Sequence, residues 1–152
     1  MSGSQSLIFG TVMVLAGIGI PVMAALNGGL GTRLGNPVQA ATLLFLLALT
    51  VSAVVMLVQP KPITINMLAV PPHYFLGGLF VAFYVLAVTF IGPKIGVGNA
   101  IVLVLLGQTL ASVVIDHFGW FGAQQVTLSV SRAMGCLFIV GGVLFARRTV
   151  DV

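Results

Sequence analysis

Charged side chains are nearly absent from this chain. Asp, Glu, Lys and Arg together make up 5% of its 152 residues, against about 25% in a typical soluble domain. Hydrophobic residues make up 59%, which is more apolar surface than a soluble fold of this length can bury. The composition therefore excludes a soluble domain and predicts an integral membrane protein that contacts the lipid bilayer.

Cysteine and clustered charge are also scarce. Cys136 is the only cysteine, which excludes an internal disulfide, and we expect it to pack as a small hydrophobic residue. The basic residues are scattered singly or in one pair, so they form no patch that would bind nucleic acid. We predict no enzyme activity, no catalytic residues, no metal site and no cofactor.

Five long apolar stretches are present instead. They cover approximately residues 7–27, 40–57, 74–91, 99–115 and 133–146. No Lys or Arg precedes Leu7, so the first stretch lacks the positive region of a cleaved signal and is predicted to be a membrane span. We therefore predict an all-α integral membrane protein in which residues 1–152 form a single domain of five transmembrane helices.

The distribution of basic residues says little about orientation. Five spans place the termini on opposite sides of the membrane. One side then carries Arg33, Lys94, Arg147 and Arg148, and the other carries Lys61 and Arg132. The bias of 4 against 2 favours an outer N-terminus and an inner C-terminus. Because it is weak, we expect that the chain can insert both ways and form an antiparallel dimer, the arrangement that inverted repeats make covalent in larger transporters.

A polar stripe crosses the fourth span. Gln108, Ser112 and Asp116 are spaced i, i+4 and i+8, so they share one face of a helix. The stripe runs about 12 Å from mid-membrane to the surface. Gln108 is the candidate site residue, or else an amide that only joins helices. Asp116 is expected in an interfacial turn with His117, where it could cap a helix or pair with Arg132.

Other polar or helix-breaking residues lie near span centres. Pro21 removes a backbone donor within the first span and predicts a kink. Tyr84 places a phenol near the centre of the third span, where it needs a hydrogen-bond partner. Phe80 lies one turn away on the same side. Asn27 ends the first span, and the glycines that follow it predict a tight turn or a close backbone approach.

A short internal repeat accompanies these features. The segment 31–35 (GTRLG) resembles the segment 92–96 (GPKIG) at a constant offset of 61. Each follows an odd-numbered span and precedes an even-numbered one. This predicts a duplicated two-helix hairpin, with Asn36 as the N-cap of the second helix and Pro37 at its entry.

A wider pattern of residues resembles a known family. The pattern comprises Asn27, Leu30, Gly31, Leu34, Gly35, Pro37 and Ala40; Pro93 and Gly96; Gly107 and Gln108; Asp116, His117, Phe118 and Gly119; and the stretch 141–148. It resembles the YdcZ family of the drug/metabolite transporter superfamily. The resemblance implies a five-helix protein of the bacterial inner (cytoplasmic) membrane that pairs with itself or with a homologous subunit.

One departure from the superfamily concerns proton coupling. Its small multidrug-resistance members use a carboxylate in the first helix, whereas the first span here has no Asp or Glu. That mechanism therefore does not carry over. Proton coupling would either involve Asp116 or His117 or be absent.

The resulting hypothesis is a dimeric small-molecule transporter with a midplane site between subunits. The candidate substrate-binding residues are Gln108, Tyr84, Pro21, Asn27, Phe80 and Ser112. The alternatives are a dual-topology ion channel and a non-transporting membrane scaffold subunit.

Overall fold

All regular structure in the described chain is helical. A computed structural model describes residues 3–59 and 69–146. The helices are α1 (Gly3–Leu34), α2 (Pro37–Val58), α3 (Gly77–Ile95), α4 (Val97–Phe118) and α5 (Val130–Ala146). Short 3-10 helices occupy Pro72–Leu76 and Trp120–Gly122. The predicted all-α class with five helices is confirmed, whereas the antiparallel pairing of two copies stays a prediction.

Four of the described helical segments are long and apolar enough to cross a membrane. They are α1, α2, the segment Pro72–Ile95 and α4. Helix α5 is apolar but shorter, at 17 residues. At about 1.5 Å per residue it is slightly shorter than the hydrocarbon core.

Helix α1 is longer than the predicted span 7–27. Gly28, Gly29 and Gly31 do not form a turn, and the helix continues past them to Leu34. A helix satisfies the backbone groups of glycine as well as those of any other residue, which matters where lipid offers no partner. The chain turns only at Gly35, which has a φ of 62°. The helix also continues on both sides of Pro21.

The remaining helices follow the predicted spans with small shifts at their ends. The start of α2 is as predicted: Pro37 occupies its first turn, and the Asn36 side chain accepts a hydrogen bond from the Gln39 backbone N–H at 3.1 Å. Helices α3 and α4 extend past their predicted ends at Ile91 and Ile115. Residues that flank an apolar run still make helical hydrogen bonds, so hydropathy alone shortens the predicted spans.

The chain divides into two compact units, residues 1–94 and 95–152.

The buried positions of α1 and α3 show the same spacing. In α1 they are Ala24, Asn27, Gly28 and Gly31, and in α3 they are Val85, Val88, Thr89 and Gly92. Each set forms one helix face, and the two sets are related by the offset of 61 that the sequence repeat predicts.

The repeated segments continue past the ends of α1 and α3, but the connection after α3 is one residue shorter than the connection after α1. Gly35 and Gly96 follow the last residues of α1 and α3, and both have positive φ. The Ala40 N–H then donates to the Asn36 carbonyl at 3.2 Å, and the Ala100 N–H donates to the Gly96 carbonyl at 3.1 Å. Both alanines are buried. The second turn is therefore one residue shorter than the first.

Two glycines of α1 allow close approach within the first unit. A Cβ on Gly28 would lie 3.3 Å from Cγ of Pro93. A Cβ on Gly31 would lie 3.2 Å from Cα of Pro37 and 3.3 Å from Cγ2 of Thr89. The predicted close backbone approach is found at these positions, and it joins the end of α1 to the start of α2 and to α3.

Candidate functional site

Gln108 lies at the centre of α4. The helix runs from Val97 to Phe118, so Gln108 is about equally far from both ends. Its side chain is exposed, and it has no hydrogen-bond partner in the described part of the chain. An amide at this depth needs a partner, because the hydrocarbon core supplies none. The described residues leave this requirement unmet.

The other two members of the α4 stripe already have local partners. The Ser112 hydroxyl donates to the Thr109 carbonyl at 2.9 Å. A carboxylate oxygen of Asp116 accepts from the Arg132 guanidinium at 2.8 Å. Of the two roles that the sequence left open for Asp116, pairing with Arg132 is the one observed. The stripe therefore has an unpaired polar group only at its mid-membrane end.

Tyr84 is the second mid-membrane polar group without a partner. It lies close to the centre of α3, within the first unit. Its hydroxyl oxygen is buried, yet no hydrogen-bond partner for it occurs among residues 3–59 and 69–146. Phe80, one turn earlier, is exposed. A buried unpaired hydroxyl is costly, so such groups need a specific explanation.

Asn27 has a different environment from Tyr84 and Gln108. Its side chain is only 4% exposed, and its amide donates to the Thr89 hydroxyl at 2.6 Å. That hydroxyl donates in turn to the Val85 carbonyl at 2.7 Å. This chain of bonds ties α1 to α3 and favours a structural role for Asn27. The sequence analysis did not identify Thr89 as a partner of Asn27, although the repeat places Thr89 at the position equivalent to Gly28.

Pro21 is half-buried within α1. Because proline has no N–H, the carbonyl of Gly17 loses its helical partner. Gly17 is exposed, and a Cβ built on it would meet no atom within 4 Å. This leaves a polar backbone group accessible on the helix surface.

The end of α4 is held by a hydrogen-bonded loop, which we call the clasp (residues 116–132). Asp116 and His117 belong to the last turn of α4 and not to an interfacial turn as predicted, because the helix ends only at Phe118 and is capped by Gly119 with a φ of 63°. The Val126 N–H donates to the Asp116 carbonyl at 2.9 Å. The loop thereby folds back along the end of the helix.

His117 and Arg132 complete the clasp. The Gln125 side-chain amide donates to the His117 carbonyl at 3.1 Å. The Leu128 N–H donates to Nδ1 of His117, also at 3.1 Å. Arg132, in the first turn of α5, donates to the Val126 carbonyl at 3.4 Å as well as to Asp116. The clasp therefore joins α4 to α5 through both predicted coupling residues.

A family model decides the affiliation of the chain. The model described as "Putative inner membrane exporter, YdcZ" matches residues 8–145. The chain belongs to the YdcZ family. No curated protein and no solved structure matches it. It is accordingly a multi-pass protein of the inner membrane, in a family that is described as exporters, and membrane transporters are generally not enzymes.

Two of the residue groups that carry the YdcZ resemblance lie in the second unit. The GQ pair of the YdcZ resemblance is Gly107–Gln108, at the centre of α4, and the DHFG segment forms the start of the clasp. Within the described ranges, no three His, Cys, Asp or Glu side chains come together.

Proposed function

We propose that this YdcZ-family chain exports a small neutral or zwitterionic polar molecule, as a dimer with a midplane site between the subunits. The observation that carries the proposal is the exposed Gln108 amide at the centre of α4, with no partner in the described chain. Polar groups at membrane depth face a partner or a water-filled cavity, and alternating-access carriers bind their substrates there.

The chemistry of the available groups favours an uncharged or zwitterionic substrate. Gln108 offers two N–H donors and a carbonyl acceptor, and Tyr84 offers a hydroxyl. No carboxylate occurs before Asp116, and Asp116 is already paired with Arg132. A strongly cationic substrate would therefore lack a counter-ion at the midplane.

Flux measurements test the proposal and its alternatives. A thermal-shift screen of neutral and zwitterionic metabolites identifies a ligand, because a compound that binds the native state raises its apparent stability. Transport of that compound is then measured in proteoliposomes. We expect saturable flux with counterflow. Rapid unsaturable flux would indicate a channel, and absence of flux with every binding compound would indicate a scaffold.

Tyr84→Phe removes a single hydroxyl from the proposed site. We expect it to lower transport by about fivefold, because a typical hydrogen bond contributes about 1 kcal/mol. The fold is retained, since the Tyr84 hydroxyl bonds to nothing in the described chain. The matched control is Tyr74→Phe, at the only other tyrosine, which lies in the exposed 3-10 helix Pro72–Leu76. Equal transport by both variants would remove Tyr84 from the site.

The dimer arrangement is tested by cross-linking at two depths. In an antiparallel pair related by a two-fold axis in the membrane plane, only midplane residues meet their own copies. On a Cys136→Ser background, Gln108→Cys should give a homodimer with a short bismaleimide, and Ser112→Cys should give less. Similar yields at both positions would indicate a parallel dimer, and no product at either would place the interface elsewhere.

A further inference from the structure

The His117 imidazole forms a bond that only its neutral form can make. Its Nδ1 atom accepts the Leu128 N–H at 3.1 Å. An acceptor nitrogen carries no hydrogen, so the ring proton resides on Nε2 while this bond exists. The bond joins the last turn of α4 to the loop residue that lies two positions before α5.

Protonation converts this acceptor into a donor. Both ring nitrogens of an imidazolium carry hydrogen, so Nδ1–H would then face the Leu128 N–H. Two donors cannot share one hydrogen bond, and the contact must open. Histidine is the side chain that ordinarily changes charge between about pH 5 and 8. The bond therefore exists only while the His117 ring is neutral.

The other two ionisable side chains of the clasp are Asp116 and Arg132. They neutralise each other in an ion pair, which leaves His117 as the group that can respond to a change of pH. Residues 118–131 contain no titratable side chain. Cys136, further along α5, lies with Leu128 in an apolar depression of about 360 Å³. No other titratable group belongs to the clasp.

We propose that His117 is a proton-binding site whose occupation opens the clasp at Leu128, and that it links export to the pH at the membrane surface. The link to export rests on the proposed function. The clasp follows the last turn of α4, and in the antiparallel pair proposed above one clasp faces each side of the membrane. Acid on either side would then reach a His117 and release one of the bonds between α4 and α5.

The chain contains its own reporter for this change. Trp120 is the only tryptophan. Its ring stacks on Phe118 with centroids 5.2 Å apart, and Phe118 contacts the His117 ring edge-on at 4.8 Å. Opening of the clasp should therefore change the environment of the one fluorescent indole.

The experiment follows Trp120 fluorescence of the full chain in nanodiscs between pH 8 and pH 5, without substrate. We expect a one-proton transition in the unmodified chain and in His73→Asn, which changes the only other histidine. His117→Asn should show no transition, because its amide oxygen replaces the Nδ1 acceptor but gains no proton. A transition that persists in His117→Asn, or one absent from the unmodified chain, would overturn the proposal.

Amide hydrogen exchange separates opening from simple quenching by the imidazolium. After correction for the intrinsic pH dependence, protection of the Leu128 amide should fall about fivefold at acidic pH, the equivalent of one lost hydrogen bond. The same amide in His117→Asn should keep its protection. Unchanged protection in the unmodified chain would contradict the proposal. Neither readout needs transport, so failure of the export proposal would leave the proton site standing.

Discussion

Replacing Gln108 with alanine is expected to lower export about tenfold while leaving the folded dimer intact. Loss of hydrogen bonds to a polar substrate in a site shielded from water accounts for this magnitude. The fold should be unaffected, because the Gln108 side chain makes no hydrogen bond in the described chain and alanine has the best helix propensity. Uptake of the screened compound into proteoliposomes measures the effect.

The control for Gln108→Ala is Gln124→Ala. Gln124 is also exposed, but it lies in the loop between α4 and α5, away from the midplane. We expect this variant to transport normally. If Gln108→Ala transported normally as well, with the same dimer content, the midplane site would be wrong. If Gln108→Ala instead lost the dimer, the amide would join the subunits and would not bind substrate.

Gly31→Leu is expected to destabilise the first unit by about 3 kcal/mol or to prevent its folding. A Cβ at Gly31 already lies 3.2 Å from a backbone carbon of Pro37, at the rigid start of α2. The Thr89 methyl, at 3.3 Å, cannot move aside easily because its hydroxyl is bonded to both Asn27 and Val85. Inserting a larger side chain into such a contact costs 1–3 kcal/mol or somewhat more.

The matched variant for Gly31→Leu is Gly29→Leu. Gly29 lies in the same turn of α1, but a Cβ built there meets no atom within 4 Å. Leucine has a higher helix propensity than glycine, so Gly29→Leu should keep or raise the melting temperature in detergent. Thermal unfolding of both variants provides the measurement. Similar melting temperatures would contradict the close packing of α1 against Pro37 and Thr89.

The fold class was predictable because composition determines it. A chain with 5% charge has no soluble alternative, and its five apolar runs give five helices. The end of α1 was not predictable from the same signal. Glycine ends helices in water, but within a membrane the backbone gains more from continuing its hydrogen bonds. Of the glycines near Asn27, only Gly35 adopts a positive φ.

The candidate site was predictable in part. Gln108 could be placed at mid-helix by counting residues, because a helix has a fixed rise. The environment of Asn27 could not be predicted, because its partner Thr89 is 62 residues away and no local pattern specifies their contact. Of the contacts in the clasp, the sequence predicted only the ion pair between Asp116 and Arg132. The Leu128 N–H that binds His117 belongs to the backbone, which carries no sequence signal.

The helix count has a consequence for how two copies can be joined. The repeat relates α1 and α2 to α3 and α4, and α5 lies outside the 61-residue correspondence. An even number of crossings would return the chain to the side where it began. Where α5 makes the fifth crossing that the sequence predicts, a head-to-tail gene fusion would start its second copy on the opposite side of the membrane. An inverted pair would then arise from simple tandem duplication, with no additional linker helix.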